Sequence, residues 1–146
     1  MPAIVVGADT GPGRAIIGAL IDPGREVRAF VTDPGVVTEL KAQGVKVALG
    51  DVSDDSHLEA AALHCFTAVL VTEAARDDRE RSFAREEREV LEAWARAVAN
   101  AGVHRVIWVD HGEPPAVDVP EVTRVSPDDP DLANRVAELD DARVIN

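Results

Sequence analysis

Apolar runs of strand length recur along the chain with helix-like stretches between them, the pattern expected of a parallel sheet covered on both faces. Ala3–Val6 reads as the first strand, and a helix follows over 12–21, where Ile16, Ile17, Leu20 and Ile21 share one side. Asp22-Pro23-Gly24 breaks that helix, and Val27–Val31 is a second strand closed by the turn Asp33-Pro34-Gly35. A short helix over 36–43 stops at Gly44, and 45–49 is the third strand. Ser53 or Asp54 is placed to cap a helix over 56–64, and 66–71 is a fourth strand. The longest helical pattern covers 78–101, with Phe83, Val90, Leu91, Trp94 and Val98 on one face, and ends at Gly102. Residues 103–109 read as a fifth strand, 122–125 as a shorter sixth, and 130–139 as a last helix carrying Leu132, Val136 and Leu139 on one side.

This alternation predicts a single α/β domain of three layers, residues 1–146, around a parallel sheet of five or six strands. A length of 146 residues agrees, being enough for one real core and short for a second, substrate-binding domain. Aromatic residues make up only 3% of the chain and tyrosine is absent, so the core is to be built from Val, Ala, Leu and Ile.

Charge narrows the partners. The formal net charge is −12, which argues against nucleic acid and against an anionic membrane surface. The arginines from Arg76 to Arg96 alternate with acids and read as a solvated helix face. Cys65 is the single cysteine and fits a reducing cytoplasm. Met1 to Val6 lacks the basic segment of a signal peptide, and no apolar run has the length of a membrane span, so the expected location is the cytoplasm.

Candidate chemistry begins in "VVGADTGPGRAII", residues 5–17, where Gly7, Gly11 and Gly13 lie between the first strand and the first helix. Glycines there let the backbone turn sharply, approach a pyrophosphate and pack the helix on the sheet, while the N–H groups at the helix start favour an anion. The alternative is a tight turn with no ligand.

Together with "REVRAFVTDP", "GVKVALGDVSD", "AVLVT" and "GVHRVIWVDHGE", the stretch resembles the atypical and extended short-chain dehydrogenase/reductase superfamily, including its NmrA-like and epimerase-like members. The resemblance covers roughly residues 3–112 and implies a Rossmann-like fold with strand order 3-2-1-4-5, extended by a sixth strand if one forms, and a dinucleotide cofactor. Carried over position by position, it assigns the phosphate loop to Gly7, Asp9, Thr10, Gly11, Pro12, Gly13 and Arg14. Thr10 departs from the pattern by standing where the atypical branch often has its middle glycine. Thr32 and Asp33 fall where the family reads the ribose, and an acid there favours NAD over NADP; Asp33-Pro34-Gly35 is equally readable as turn chemistry. Asp51 and Val52 match the pair beside the adenine, with the acid accepting from the exocyclic amine, and the alternative is a turn or cap. Val71 and Thr72 would line the middle of the cofactor.

The redox members use a serine after the fifth strand and a Tyr-x-x-x-Lys helix, in which the lysine lowers the tyrosine pKa. This chain has no tyrosine, and its lysines are Lys41 and Lys46. Asp110-His111-Gly112 stands at the serine position and reads as a solvated loop, with a general-base pair as the minor alternative. No metal site is expected from His57, His64 and Cys65, because structural sites need more ligands than one helix end provides. The expected function is therefore a non-catalytic NAD(P)-binding protein that senses cofactor or regulates. Alternatives are an oxidoreductase or epimerase completed by a partner chain, and an interaction module that has lost its ligand. The resemblance also implies a homodimer through the 78–101 helix.

Overall fold

A computed structural model describes residues 1–145. The element order is β1 (Ala3–Val6), α1 (Gly11–Leu20), β2 (Val27–Val31), a 3-10 turn (Pro34–Val36), α2 (Val37–Ala42), β3 (Lys46–Leu49) and α3 (Asp55–Ala62). It continues with β4 (Thr67–Val71), α4 (Glu73–Arg76), α5 (Glu87–Asn100), β5 (Arg105–Val109), β6 (Glu121–Val125) and α6 (Leu132–Asp141). The sheet order is β3-β2-β1-β4-β5-β6 and every pairing is parallel, so 122–125 does form a sixth strand, at the edge. This is an α/β Rossmann-like fold.

Alternation along the strands builds two cores. Ile4, Val6, Phe30, Leu70, Val106 and Trp108 meet α3 and α5 on one face. Val5, Ala29, Val31, Val69, Ile107 and Val109 meet α1, α2 and α6 on the other. Both faces of the central strands are buried, which is why they read as continuous apolar runs.

Two expectations are corrected. The helix expected over 78–101 is only Glu87–Asn100, and residues 77–86 are an irregular strap between α4 and α5. Before Val90 there is no apolar stripe to hold a helix against the core, and the strap's backbone groups bond to the β3–α3 loop instead. Glu87 and Glu89 in the first turn favour starting the helix there. Phe83 accordingly stands 70% exposed and is not on the Trp94 face. Val90, Leu91, Trp94 and Val98 are buried inside the chain itself, so the apolar side of α5 is spent on its own core.

The second correction concerns Asp110. It is 3% exposed and belongs to a buried network, not to a solvated loop. After it, residues 110–120 join the parallel strands β5 and β6 with no helix, where such a crossover ordinarily carries one. Val117 and Val119 pack against the core in its place.

Candidate functional site

The carboxyl ends of β1, β2, β3 and β4 open onto one edge of the sheet, and the glycine loop sits at its centre. Gly7 has φ +86°, and a Cβ there would lie 3.0 Å from the Ala74 Cβ and 3.1 Å from the Val71 carbonyl oxygen. Only glycine takes this conformation cheaply in so narrow a space. A Cβ on Gly13 would stand 2.0 Å from the Gly7 carbonyl oxygen, so α1 approaches β1 as closely as it does because Gly13 has no side chain.

Thr10 closes the turn. Its hydroxyl donates to the Gly7 carbonyl at 2.7 Å and accepts from the Gly13 N–H at 3.0 Å, the geometry of a helix N-cap. The Arg14 N–H donates to the Thr10 carbonyl at 2.9 Å, and Pro12 has no N–H. Gly11 then keeps the open donor at the first position of α1, with nothing within 4 Å of where its Cβ would be. With the helix N-terminus behind it and the exposed Arg14 beside it, this end of the edge fits a pyrophosphate.

The end of β2 is organised by Asp9, whose side chain is 2% exposed. One carboxylate oxygen accepts from the Thr32 N–H at 2.9 Å and the Asp33 N–H at 3.1 Å, and the other accepts from the Arg79 guanidinium at 2.5 Å. Burial alone would raise the Asp9 carboxyl, but Arg79 and the two N–H groups outweigh it and hold it below the ordinary aspartate value. Arg79 is held in turn by Asp77, at 2.6 Å from Nε and 2.6 Å from Nη2. The Thr32 hydroxyl oxygen is buried without a hydrogen-bond partner. Asp33 is exposed and accepts from the Gly35 N–H at 2.8 Å, which is the turn chemistry anticipated as its alternative.

At the β3–α3 loop the expected adenine pair meets the strap. Asp51 accepts from the Ser53 N–H at 2.8 Å and hydroxyl at 2.6 Å through one oxygen, and from the Ser82 N–H at 2.6 Å through the other. Burial raises the Asp51 carboxyl, and these bonds more than reverse that, leaving it lowered. The Val52 N–H donates to the Glu80 carbonyl at 3.3 Å and the Phe83 N–H to the Ser53 hydroxyl at 2.9 Å. The buried Trp94 indole N–H donates to the Val52 carbonyl at 2.7 Å and fixes the loop from behind. Both polar groups of the expected adenine pair, the Asp51 carboxylate and the Val52 N–H, are therefore bonded within the chain.

Val71 and Thr72 are buried at the end of β4. The Thr72 hydroxyl lies 3.1 Å from the Val109 carbonyl oxygen and 3.0 Å from an Asp110 carboxylate oxygen, which also accepts from Arg76 at 2.5 Å. Burial pushes the Asp110 carboxyl up, but Thr72, Arg76 and the Gly112 N–H prevail and lower it, so Asp110 is an anion at neutral pH. His111 is exposed, with Nδ1 3.4 Å from an Asp128 carboxylate oxygen, and does not face Asp110 as a pair would. Burial pushes the Cys65 thiol up to about 11, which leaves it protonated and unreactive. His57 packs edge-on against Phe30, and among the described residues no cluster of three His, Cys, Asp or Glu could hold a metal ion.

The structure thus brings Gly7, Thr10, Gly11, Pro12, Gly13 and Arg14 together at one end, and Asp9, Thr32, Asp33, Asp51 and Val52 at the other. Sequence reasoning missed Arg79, Glu80 and Ser82. Their local signal was a charged run without an apolar stripe, which argues against a helix and for a segment with another task.

Comparison with known proteins gives the same picture. Residues 7–126 match a family described as NAD(P)H-binding. No curated protein sequence matches the chain. Among solved structures, the Citrobacter sp. triphenylmethane reductase complexed with NADP(H) superposes with TM-score 0.62 at 20% identity, covering 75% of this chain and 37% of its own. An NADPH-dependent quinone oxidoreductase from Escherichia coli gives 0.61 at 24% identity, covering 75% and 36%. An anaerobillin reductase from Escherichia coli O157:H7 gives 0.57 at 23%, covering 75% and 50%. The chain spans half the length of the last and little more than a third of the other two. At these identities the likeness establishes the fold, and among the described residues no helix is long and apolar enough to cross a membrane. With its glycine loop, its sheet order and a family match over residues 7–126, the chain belongs to the NAD(P)H-binding family of Rossmann-fold proteins.

Proposed function

We propose that this chain binds a nicotinamide dinucleotide without turning it over and acts as a cofactor sensor or regulator. The observation that carries this reading is the sheet edge beyond the pyrophosphate position. There Asp110 is a buried anion locked to Thr72 and Arg76, and the chain supplies no tyrosine. A general acid or base near neutrality, which proton exchange with a carbonyl substrate requires, is missing from those groups.

NAD is favoured over NADP. The exposed Asp33 carboxylate lies at the end of β2, where a 2′-phosphate would have to sit beside it, while Asp9 there is already paired with Arg79. Calorimetric titration with NAD, NADH, NADP and NADPH tests the assignment. Binding of NAD(H) at least tenfold tighter than NADP(H), with no NADH oxidation in the presence of quinone acceptors, is the expected result. Absence of heat with all four at millimolar ligand overturns the binding, and turnover that disappears in Asp110→Ala overturns the non-catalytic reading.

A further inference from the structure

The strap over residues 77–86 does more than link α4 to α5. It crosses from the end of β4 to the β3–α3 loop and meets, group by group, the positions that a bound adenosine would use. The Ser82 N–H donates to the Asp51 carboxylate at 2.6 Å, as an exocyclic amine would. The Glu80 carbonyl accepts from the Val52 N–H at 3.3 Å, as a ring nitrogen would. Arg79 reaches on to the Asp9 carboxylate, which itself covers the Thr32 and Asp33 N–H groups at the ribose position.

We propose that the strap is an internal occupant of the adenosine half of the cofactor cleft, latched by the Arg79–Asp9 ion pair, and that a dinucleotide seats fully only when the strap swings out. The proposal rests on the reading that the cleft takes a dinucleotide.

The hold on the strap suits a segment that moves. It is made of polar contacts, and the strap's one large apolar side chain, Phe83, points to solvent at 70% exposure. Removing the strap therefore uncovers mainly hydrogen-bonding groups that a nucleotide can satisfy, and of its side chains only Ala84 packs against the core. Glu80, Ser82 and Phe83 are exposed, whereas Val52, Ser53 and the Asp9 side chain beneath them are covered. The pyrophosphate end carries no equivalent cover: Gly11 is exposed and has nothing within 4 Å of its Cβ position. A ligand thus has a landing point at Gly11 and Arg14 before the strap yields. Latch release is then linked to binding, and a displaced strap is the conformational signal that a sensor requires.

The test uses the full chain as wild type, Arg79→Ala and Ser82→Pro, each checked for cooperative thermal unfolding. ADP-ribose and nicotinamide mononucleotide serve as probes of the two halves, beside NAD. Hydrogen exchange in the absence of ligand reads the strap itself: the Ser82 and Phe83 amides should be protected in wild type and lose at least tenfold of that protection in Arg79→Ala. In calorimetry, ADP-ribose and NAD should bind at least tenfold tighter to both variants than to wild type, while nicotinamide mononucleotide changes less than twofold. Unprotected amides in wild type overturn the proposal. Equal ADP-ribose affinity in all three proteins also overturns it and leaves the binding reading standing. No binding of any probe by any folded variant removes the binding reading, and the gating role falls with it.

Discussion

The two ends of the sheet edge are built by different physics. At the glycine loop the geometry is fixed by backbone sterics: Gly7 at positive φ, Gly13 against the Gly7 carbonyl, and Thr10 capping α1. The Thr10 and Gly13 contacts lie within a few residues along the chain, and Val71 and Ala74 close in on Gly7 from β4 and α4. At the β2–β3 end the geometry is fixed by polar groups far apart in sequence, Arg79 on Asp9 and Ser82 on Asp51. The first end is open; the second is covered. Under the proposed reading, one cleft keeps a phosphate landing point while its base-reading half is placed under control.

Substitutions at the two ends have different consequences. Gly13→Ala should have the largest effect, since its Cβ would sit 2.0 Å from the Gly7 oxygen and force α1 off the sheet. A loss of about 3 kcal/mol or more is expected in urea unfolding, as for severe overpacking. For that reason it is a poor probe of ligand binding.

Next comes Trp94→Phe, which keeps the ring in the core but removes the donor at 2.7 Å from the Val52 carbonyl. Leaving that buried oxygen unpaired should cost about 1–3 kcal/mol and loosen the loop under the strap, seen as faster exchange of the Val52 amide. Asp9→Asn weakens the latch, and about 1–3 kcal/mol is expected, because the Asp9 and Arg79 side chains are only 2% and 12% exposed and screening is slight.

Asp9→Asn also carries a pH signature. Asp9, Asp51 and Asp110 all have carboxyls lowered in the fold from the ordinary value of 3.8. Groups lowered in this way stabilise the fold fully above the unfolded value, and that contribution is lost as pH falls through the lowered one. Thermal unfolding followed downward from about pH 5 should show a steep loss below about pH 4 in wild type and a shallower one in Asp9→Asn.

Gly11→Ala should have the smallest effect on the fold, within about 0.5 kcal/mol, because nothing lies near its Cβ. If the pyrophosphate sits there, the same change weakens NAD binding, which calorimetry reads directly. Stability lost at Gly13 and affinity lost at Gly11 would separate the packing glycine from the ligand glycine.

Much of the fold was legible along the chain because each central strand is buried on both faces and each helix buries one. Those two periods place β1 to β6 and four of the helices, α1, α2, α3 and α6, within a few residues. The 78–101 helix failed for a physical reason. Its second half has an apolar stripe at Val90, Leu91, Trp94 and Val98, while its first half has none, and an extrapolated period cannot show that the backbone of 77–86 finds other partners. Asp110 failed similarly, because a polar residue after a strand reads as solvated until Thr72 and Arg76 are known to reach it.

By itself, then, the sequence determined the layer architecture, the glycine turn and the absence of tyrosine chemistry in this chain. These follow from local backbone freedom, from burial periodicity and from side-chain inventory, all of which are properties of neighbouring residues or of composition. Only the tertiary structure decided what covers the cleft. Asp9 and Arg79 carry opposite charges that meet because the sheet brings β1 and the strap to one edge, and no local pattern records a contact that the fold creates.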